Sequence, residues 1–201
     1  MNSDHLVSHH PHLDRAATPG GRVITVDDVT RAATDASWEA LNLVLDEARW
    51  TAPLFVPGGW PLSMPDVKGV YNYFDPSTIW HYPNGSSRLT YIGRGWLRDR
   101  AGLTPHHDMQ AAGDGDHHVY GRFQWHARAG LVIGYSQPAG RRAWDEKEVE
   151  AACIMIFDRI YLDSPRFNRN YPSCPIDVEP LVERYRTQKA VSDSGMTAFT
   201  G

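Results

Sequence analysis

The sequence predicts an α+β fold, a curved antiparallel sheet with one long N-terminal helix packed against it. Two observations carry this. Between residues 25 and 50, Val29, Ala33, Ala36, Ala40, Leu41, Val44, Leu45 and Ala48 recur at helical spacing, with Arg31, Asp35, Glu39 and Asp46 mostly outside. Beyond Pro105 the pattern changes to short alternating runs broken by the turn sequences "GDGD" and "QPAGRR". The chain has 201 residues, 41% of them hydrophobic and 22% charged, enough for one core and a ligand cavity. No internal repeat is visible.

Taken in order, residues 1–24 are polar, end in "ATPGGR" and are read as a flexible arm. Its His5, His9, His10 and His12 imply no more than adventitious metal affinity. Thr25 and Asp28 make a capping-box pattern that opens the long helix, and Pro53 stops it. The stretch 51–65, with four prolines and two glycines, is read as a loop. A short helix or turn is expected at "DVKGVYNYF", a strand at "STIWHYP" ended by the turn "PNGSS", another at "RLTYIG", and a helical turn at "GWLRDRAGL". Further strands are placed near 107–112, 117–128, 130–136 and 149–163, before a short polar helix, "DVEPLVERYRTQK". The chain thus divides into an arm (1–24), a main domain (25–167) and a C-terminal loop, helix and tail (168–201).

Charge and composition narrow the function. A net charge of −4 argues against nucleic acid and anionic membrane surfaces, both of which demand a basic face. No run approaches the roughly 18 apolar residues of a membrane span, and the first residues have no secretory pattern. Cys153 and Cys174 make neither a disulfide framework nor a CxxC knuckle. A cytoplasmic enzyme or small-molecule binder is expected. Seven Trp and nine Tyr supply rings with a polar handle for lining a pocket.

Residues 105–130 hold five of the ten histidines. On the strand "HVYGRFQWHAR", Val119, Gly121, Phe123, Trp125 and Ala127 alternate with His118, Tyr120, Arg122, Gln124, His126 and Arg128. One face is apolar and the other an unbroken polar row, which reads better as solvent or subunit contact than as a pocket wall. A metal site is disfavoured. This cluster has no HxH or HExxH spacing, and the pairs His106–His107 and His117–His118 point opposite ways from a regular strand.

The closing strand reads differently. One face carries Ala152, Ile154, Ile156, Ile160 and Leu162. The other begins with Cys153, Met155 and Phe157 and ends in Arg159, Tyr161 and Asp163, spaced about 6.6–7 Å apart. That is a pocket wall with reactive groups at one end, where a carboxylate is placed to remove an acidic C–H proton. The plainer alternative is a strand-end ion pair between Arg159 and Asp163, with Tyr161 at the rim.

The order of parts, from the amphipathic helix through "YFDPSTIWHYPNG", "GDGDHHVYGRFQWHARAG" and "QPAGRR" to "IMIFDRIYLDSPRF", resembles the SnoaL-like polyketide cyclases of the NTF2-like superfamily. Gly115-Asp116, Trp125, Pro138-Ala139-Gly140-Arg141 and Tyr161-Leu162-Asp163 stand where that family has its motifs, and the likeness covers roughly residues 27 to 167. It implies a cone of sheet and helices around an apolar pocket (NTF2-like), chemistry without a cofactor, and Asp163 as the acid/base aspartate. His81 and Trp80 fall on an early strand of that cavity. Ile160 stands where the epoxide-hydrolase branch has an Asp, and the insertion 51–65 is long enough to serve as a lid.

The function expected is a cyclase, isomerase or dehydratase acting on an apolar carbonyl compound such as a polyketide or terpenoid intermediate. Asp163 takes the α proton, His81, Tyr161 or Arg159 serves the enolate oxygen, and Trp80, Phe123, Trp125 and Tyr135 shape the pocket. A non-catalytic binder on the same fold and a histidine-rich metalloenzyme are the alternatives. A homodimer is expected, because either the aliphatic row of 149–163 or the polar row of 117–128 is left for a partner to cover. Residues 25–189 alone are expected to fold, since neither end carries an apolar face to bury. Chemical denaturation of that fragment should show one cooperative transition.

Overall fold

Lys68–Phe74 combines Val70, Tyr71, Tyr73 and Phe74, residue types that fit a pleated surface, and it forms a strand rather than the expected helix or turn. It is the centre of the molecule. The computed structural model describes residues 24–42, 48–51, 53–56, 64–100, 130–138, 145–168 and 172–194. In chain order these form α1 (Val26–Ala33), α2 (Ser37–Asn42), β1 (Ala48–Trp50), β2 (Leu54–Val56), β3 (Lys68–Phe74), β4 (Trp80–Tyr82), β5 (Gly85–Ser87), β6 (Leu89–Trp96), α3 (Leu97–Arg100), β7 (Leu131–Pro138), α4 (Glu146–Tyr161) and α5 (Glu179–Asp193). The class is α+β with an antiparallel sheet.

In the main sheet β3 lies between β6 and β7, and both β1 and β2 pair with the other edge of β7. The register sets Val70 opposite Ser136 and Arg94, and Phe74 opposite Val132 and Leu89, with an irregularity between Tyr73 and Phe74 on the β6 side. Strands β4 and β5 form a separate hairpin.

Period 2 then sorts the side chains. Val70, Phe74, Leu89, Ile92 and Val132 face a core shared with Trp38 and Leu41 of α2, with Cys153, Ile156, Phe157 and Ile160 of α4, and with Val182 and Tyr185 of α5. Tyr71, Tyr73, Leu131 and Ile133 face the other way, with Met64, Leu97 and Phe167 and the half-buried Tyr91 and Tyr135. Tyr71 packs against Tyr73 and Tyr91 at ring separations of 5.1 and 6.0 Å. Asn72 shares the helix-facing side with Val70 and Phe74, is fully buried, and neither atom of its amide is hydrogen-bonded among the described residues.

Three further expectations change. The long first helix is two short ones. The capping box of Thr25 and Asp28 is present, but α1 ends at Thr34, whose N–H bonds back to the Thr30 carbonyl. The Asp35 carboxylate then accepts from the N–H and hydroxyl of Ser37 at the start of α2. An Asp that bonds nearby backbone competes with helix continuation. The chain returns as β1 at Ala48–Trp50, and part of the expected loop 51–65 is the strand β2.

The larger correction is the expected strand 149–163. It is the helix α4, capped by Asp145, whose carboxylate accepts from the N–H groups of Lys147 and Glu148 while Glu148 reaches back to the Asp145 N–H. An apolar run alone does not separate a buried strand from a buried helix, and α4 is apolar nearly all round because sheet, α2 and α5 all lie against it. Ile154, Ile156 and Ile160 are core residues and Leu162 is exposed, so the aliphatic row expected to need a partner is covered from within the chain. The expected strands at "STIWHYP", "RLTYIG" and 130–136, the helical turn at Leu97 and the C-terminal helix are present, while of the expected turn "PNGSS" only Pro83 and Asn84 turn and Gly85–Ser87 is the strand β5. The strands expected at 107–112 and 117–128, with their histidines, lie outside the described residues.

Trp38 shows how closely helix and sheet meet. Its indole N–H donates to the Ala32 carbonyl at 3.1 Å and its rings stack on Phe74 at 4.2 Å. A Cβ on Gly134 would stand 2.3 Å from the Trp38 ring. Because two contacts hold that ring, Gly134→Ala should cost about 1–3 kcal/mol by overpacking. A drop in denaturation midpoint with an unchanged m-value would show it.

Candidate functional site

The hairpin β4–β5 turns through Pro83 and Asn84, and the glycine that follows, Gly85, has φ 119°, open to glycine at little cost. The hairpin is fastened to the carbonyl end of α4. A helix end leaves carbonyls without intrahelical partners. Here the Asn84 side-chain amide donates to the Ile160 carbonyl at 2.6 Å and the Asn84 N–H to the Tyr161 carbonyl at 3.2 Å. Arg186 of α5 reaches the Arg159 carbonyl at 3.3 Å. Tyr82 packs its ring edge-on against Phe157 at 5.2 Å, and Phe157 stacks on Tyr161 at 4.3 Å.

Leu162 then turns the chain in the left-handed region, φ 60°, a conformation that costs a non-glycine residue roughly 1–2 kcal/mol. The turn that follows returns to the sheet. The Phe167 N–H donates to the Thr90 carbonyl, and the Asn168 side chain both accepts from the Ile92 N–H at 2.9 Å and donates to the Ile92 carbonyl at 2.7 Å. Asn168 thereby covers the open edge of β6 as a neighbouring strand would.

Between hairpin and turn lies a cavity of about 280 Å³ lined by Trp80, His81, Tyr82, Asp163, Ser164, Pro165, Arg166 and Asn168. His81 and Asp163 are both exposed. Nδ1 of His81 is 2.8 Å from the Ser86 hydroxyl, which fixes the ring and leaves Nε2 as the other nitrogen. The Asp163 carboxylate accepts the Ser164 N–H at 2.8 Å. The guanidinium of Arg166 lies over the Trp80 ring, 5.5 Å from its centre. Among the described residues, no group of three or more His, Cys, Asp or Glu side chains is placed to hold a metal ion.

Of the residues chosen from sequence, Asp163, His81 and Trp80 meet here. Arg159 and Tyr161 do not. On a helix they are two residues and about 200° apart, so the shared strand face does not exist. Arg159 is exposed and pairs with Glu179 at 2.7 Å, not with Asp163. Tyr161 is buried, its hydroxyl 3.2 Å from that of Ser37. Tyr135 belongs to the tyrosine-rich layer on the side of the sheet opposite α2, α4 and α5. Phe123 and Trp125 lie outside the described residues. Tyr82 and Arg166 were not anticipated. Tyr82 follows His81 by one residue, and "DSPRF" carried the mark of a Pro-containing turn beside Asp163.

Behind the hairpin, the Asp35 carboxylate accepts from the Ser87 hydroxyl at 3.0 Å and the Arg88 N–H at 2.7 Å as well as from Ser37. The hydroxyls of Ser37 and Ser87 touch. Compared with protein-family models, with curated proteins and with solved structures, the chain finds no match. Among the described residues no helix is long and apolar enough to cross a membrane.

Burial pushes the phenol of Tyr161 up to about 12, against the pull of its contact with Ser37. Burial also raises Tyr82, opposed by the Arg166 backbone N–H and aided by Asp163, and raises Tyr185, aided by Glu39 and Asp35. An unfolded tyrosine releases its proton near about pH 10. Above that pH the unfolded chain holds fewer protons than the folded one, so stability present below about pH 10 is lost as pH rises toward 12. Melting temperatures followed through this range should fall, and fall less steeply in Tyr161→Phe.

Proposed function

We propose that the chain is a cofactor-free acid/base enzyme acting on a small carbonyl compound held between the β4–β5 hairpin and the 163–168 turn. The observation that carries this is that Asp163 and His81, 82 residues apart in sequence, line one cavity together with an arginine. In this reading Asp163 takes a proton from the carbon next to the carbonyl. The electrons of that C–H bond form a C=C bond, and the carbonyl oxygen becomes an enolate facing the Arg166 guanidinium. His81, oriented by Ser86, returns a proton at the γ carbon of a substrate whose β,γ double bond extends the enolate, giving the conjugated isomer, or protonates a hydroxyl leaving from the β carbon, giving a dehydration.

The lining is mostly polar, so the substrate proposed is smaller and more polar than the polyketide implied by the SnoaL-like resemblance. That resemblance, and the cone around a pocket it implies, stay as part of the proposal and agree with the α+β class. The exposure of both His81 and Asp163 favours a second reading, a binding protein without turnover.

Solvent deuterium exchange into small 2-oxo compounds, followed by proton NMR, separates the two. The enzyme reading expects catalysed exchange that falls by roughly 10²–10⁴ in Asp163→Asn, the usual contribution of a positioned base. Melting temperature should hardly change, because the Asn side-chain oxygen still accepts the Ser164 N–H. Exchange in Asp163→Asn at the parent rate would end the assignment.

A further inference from the structure

We infer that the cavity takes a small monocarboxylate, with Arg166 as the anchor for its carboxylate group. This rests on the reading of the cavity as the ligand site and adds the class of ligand. Among the described residues, the other arginines of this region are committed. Arg88 donates to the Pro76 carbonyl at 2.7 Å, Arg94 pairs with Glu150 at 2.8 Å and Arg159 with Glu179 at 2.7 Å. Arg166 is different. Its guanidinium carbon lies over the Trp80 ring, 5.5 Å from the centre, and among the described residues its N–H groups have no carboxylate or carbonyl.

A cation over an indole is held by the ring without a hydrogen-bond acceptor, and the five N–H donors of a guanidinium lie in one plane around its edge. That edge matches the two oxygens of a carboxylate, which it binds through paired charge-assisted hydrogen bonds. The ring contact also restrains the side chain before the ligand arrives, which lowers the entropy lost on binding. The negative Asp163 in the same cavity sets the other limit. A second carboxylate on the ligand would meet like charge there, whereas a hydroxyl offers Asp163 a hydrogen-bond donor. Small 2-hydroxy monocarboxylates fit both conditions, their 2-oxo counterparts meet the first and carry no second charge, and a cavity of about 280 Å³ has room for a few more carbons.

The test uses the full chain with lactate and pyruvate as probes, each against its neutral amide, lactamide and pyruvamide, with binding read by saturation-transfer NMR and titration. Lactate or pyruvate is expected to bind at least about tenfold tighter than its amide, the preference vanishing in Arg166→Gln and recovering in part in Arg166→Lys. Arg166 is exposed on a turn, and circular dichroism of both variants checks that they fold. Equal binding of acid and amide, weakened in both cases by His81→Ala, overturns the carboxylate inference and leaves the cavity as the ligand site. Binding that none of Arg166→Gln, His81→Ala or Asp163→Asn alters overturns both. No binding of either acid overturns the inference as well.

Discussion

The carbonyl end of α4 is the place on which the rest of the site depends. A helix that stops inside a protein presents acceptors that cost free energy when left unmet. Here Asn84 takes two of them, and in doing so it draws a two-stranded hairpin, too small to be stable alone, onto the helix and against Phe157. The same helix end forces Leu162 into the left-handed region, which turns the chain so that Asp163 and Arg166 face the hairpin rather than continuing outward. The cavity is thus a consequence of how one helix is closed.

Two further contacts hold this arrangement in register with the sheet. Asp35 collects four hydrogen bonds from Ser37, Ser87 and Arg88, and so joins the break between α1 and α2 to the far strand of the hairpin. Asn168 pairs with Ile92 through both its side-chain atoms and closes the turn onto the edge of β6. Each of these residues does its work through a short polar side chain that imitates backbone. Side chains of this kind carry geometry where apolar packing carries energy.

Two kinds of chemistry would meet in one cavity, with Arg166 serving both. Acid/base chemistry needs a base and an acid within reach of one ligand, which Asp163 and His81 supply in kind. Anion recognition needs a cation with its donors unspent, which Arg166 supplies. A carboxylate held by Arg166 would also explain why Trp80 stands beneath the guanidinium: the ring steadies a charge that has no acidic partner of its own among the described residues.

By itself the sequence determined what depends on near neighbours. The capping box of Thr25 and Asp28, the hairpin turn around Asn84, the strands at Leu89 and Leu131 and the helical turn at Leu97 follow from local backbone chemistry, and all were legible. Asp163 was singled out through a strand face that does not exist, and His81 through a family resemblance, so neither was read from its local surroundings. Tertiary structure alone decided whether Lys68–Phe74 and Glu146–Tyr161 were strand or helix. Both are buried on nearly all sides, and burial of that kind erases the alternation of polar and apolar residues from which period is read. The Asp145–Glu148 capping box was the local mark that distinguished the helix. Tyr82 and Arg166 were beyond reach for another reason: their place in the site comes from a hairpin and a turn brought together by the end of α4, and such a meeting leaves no spacing in the chain.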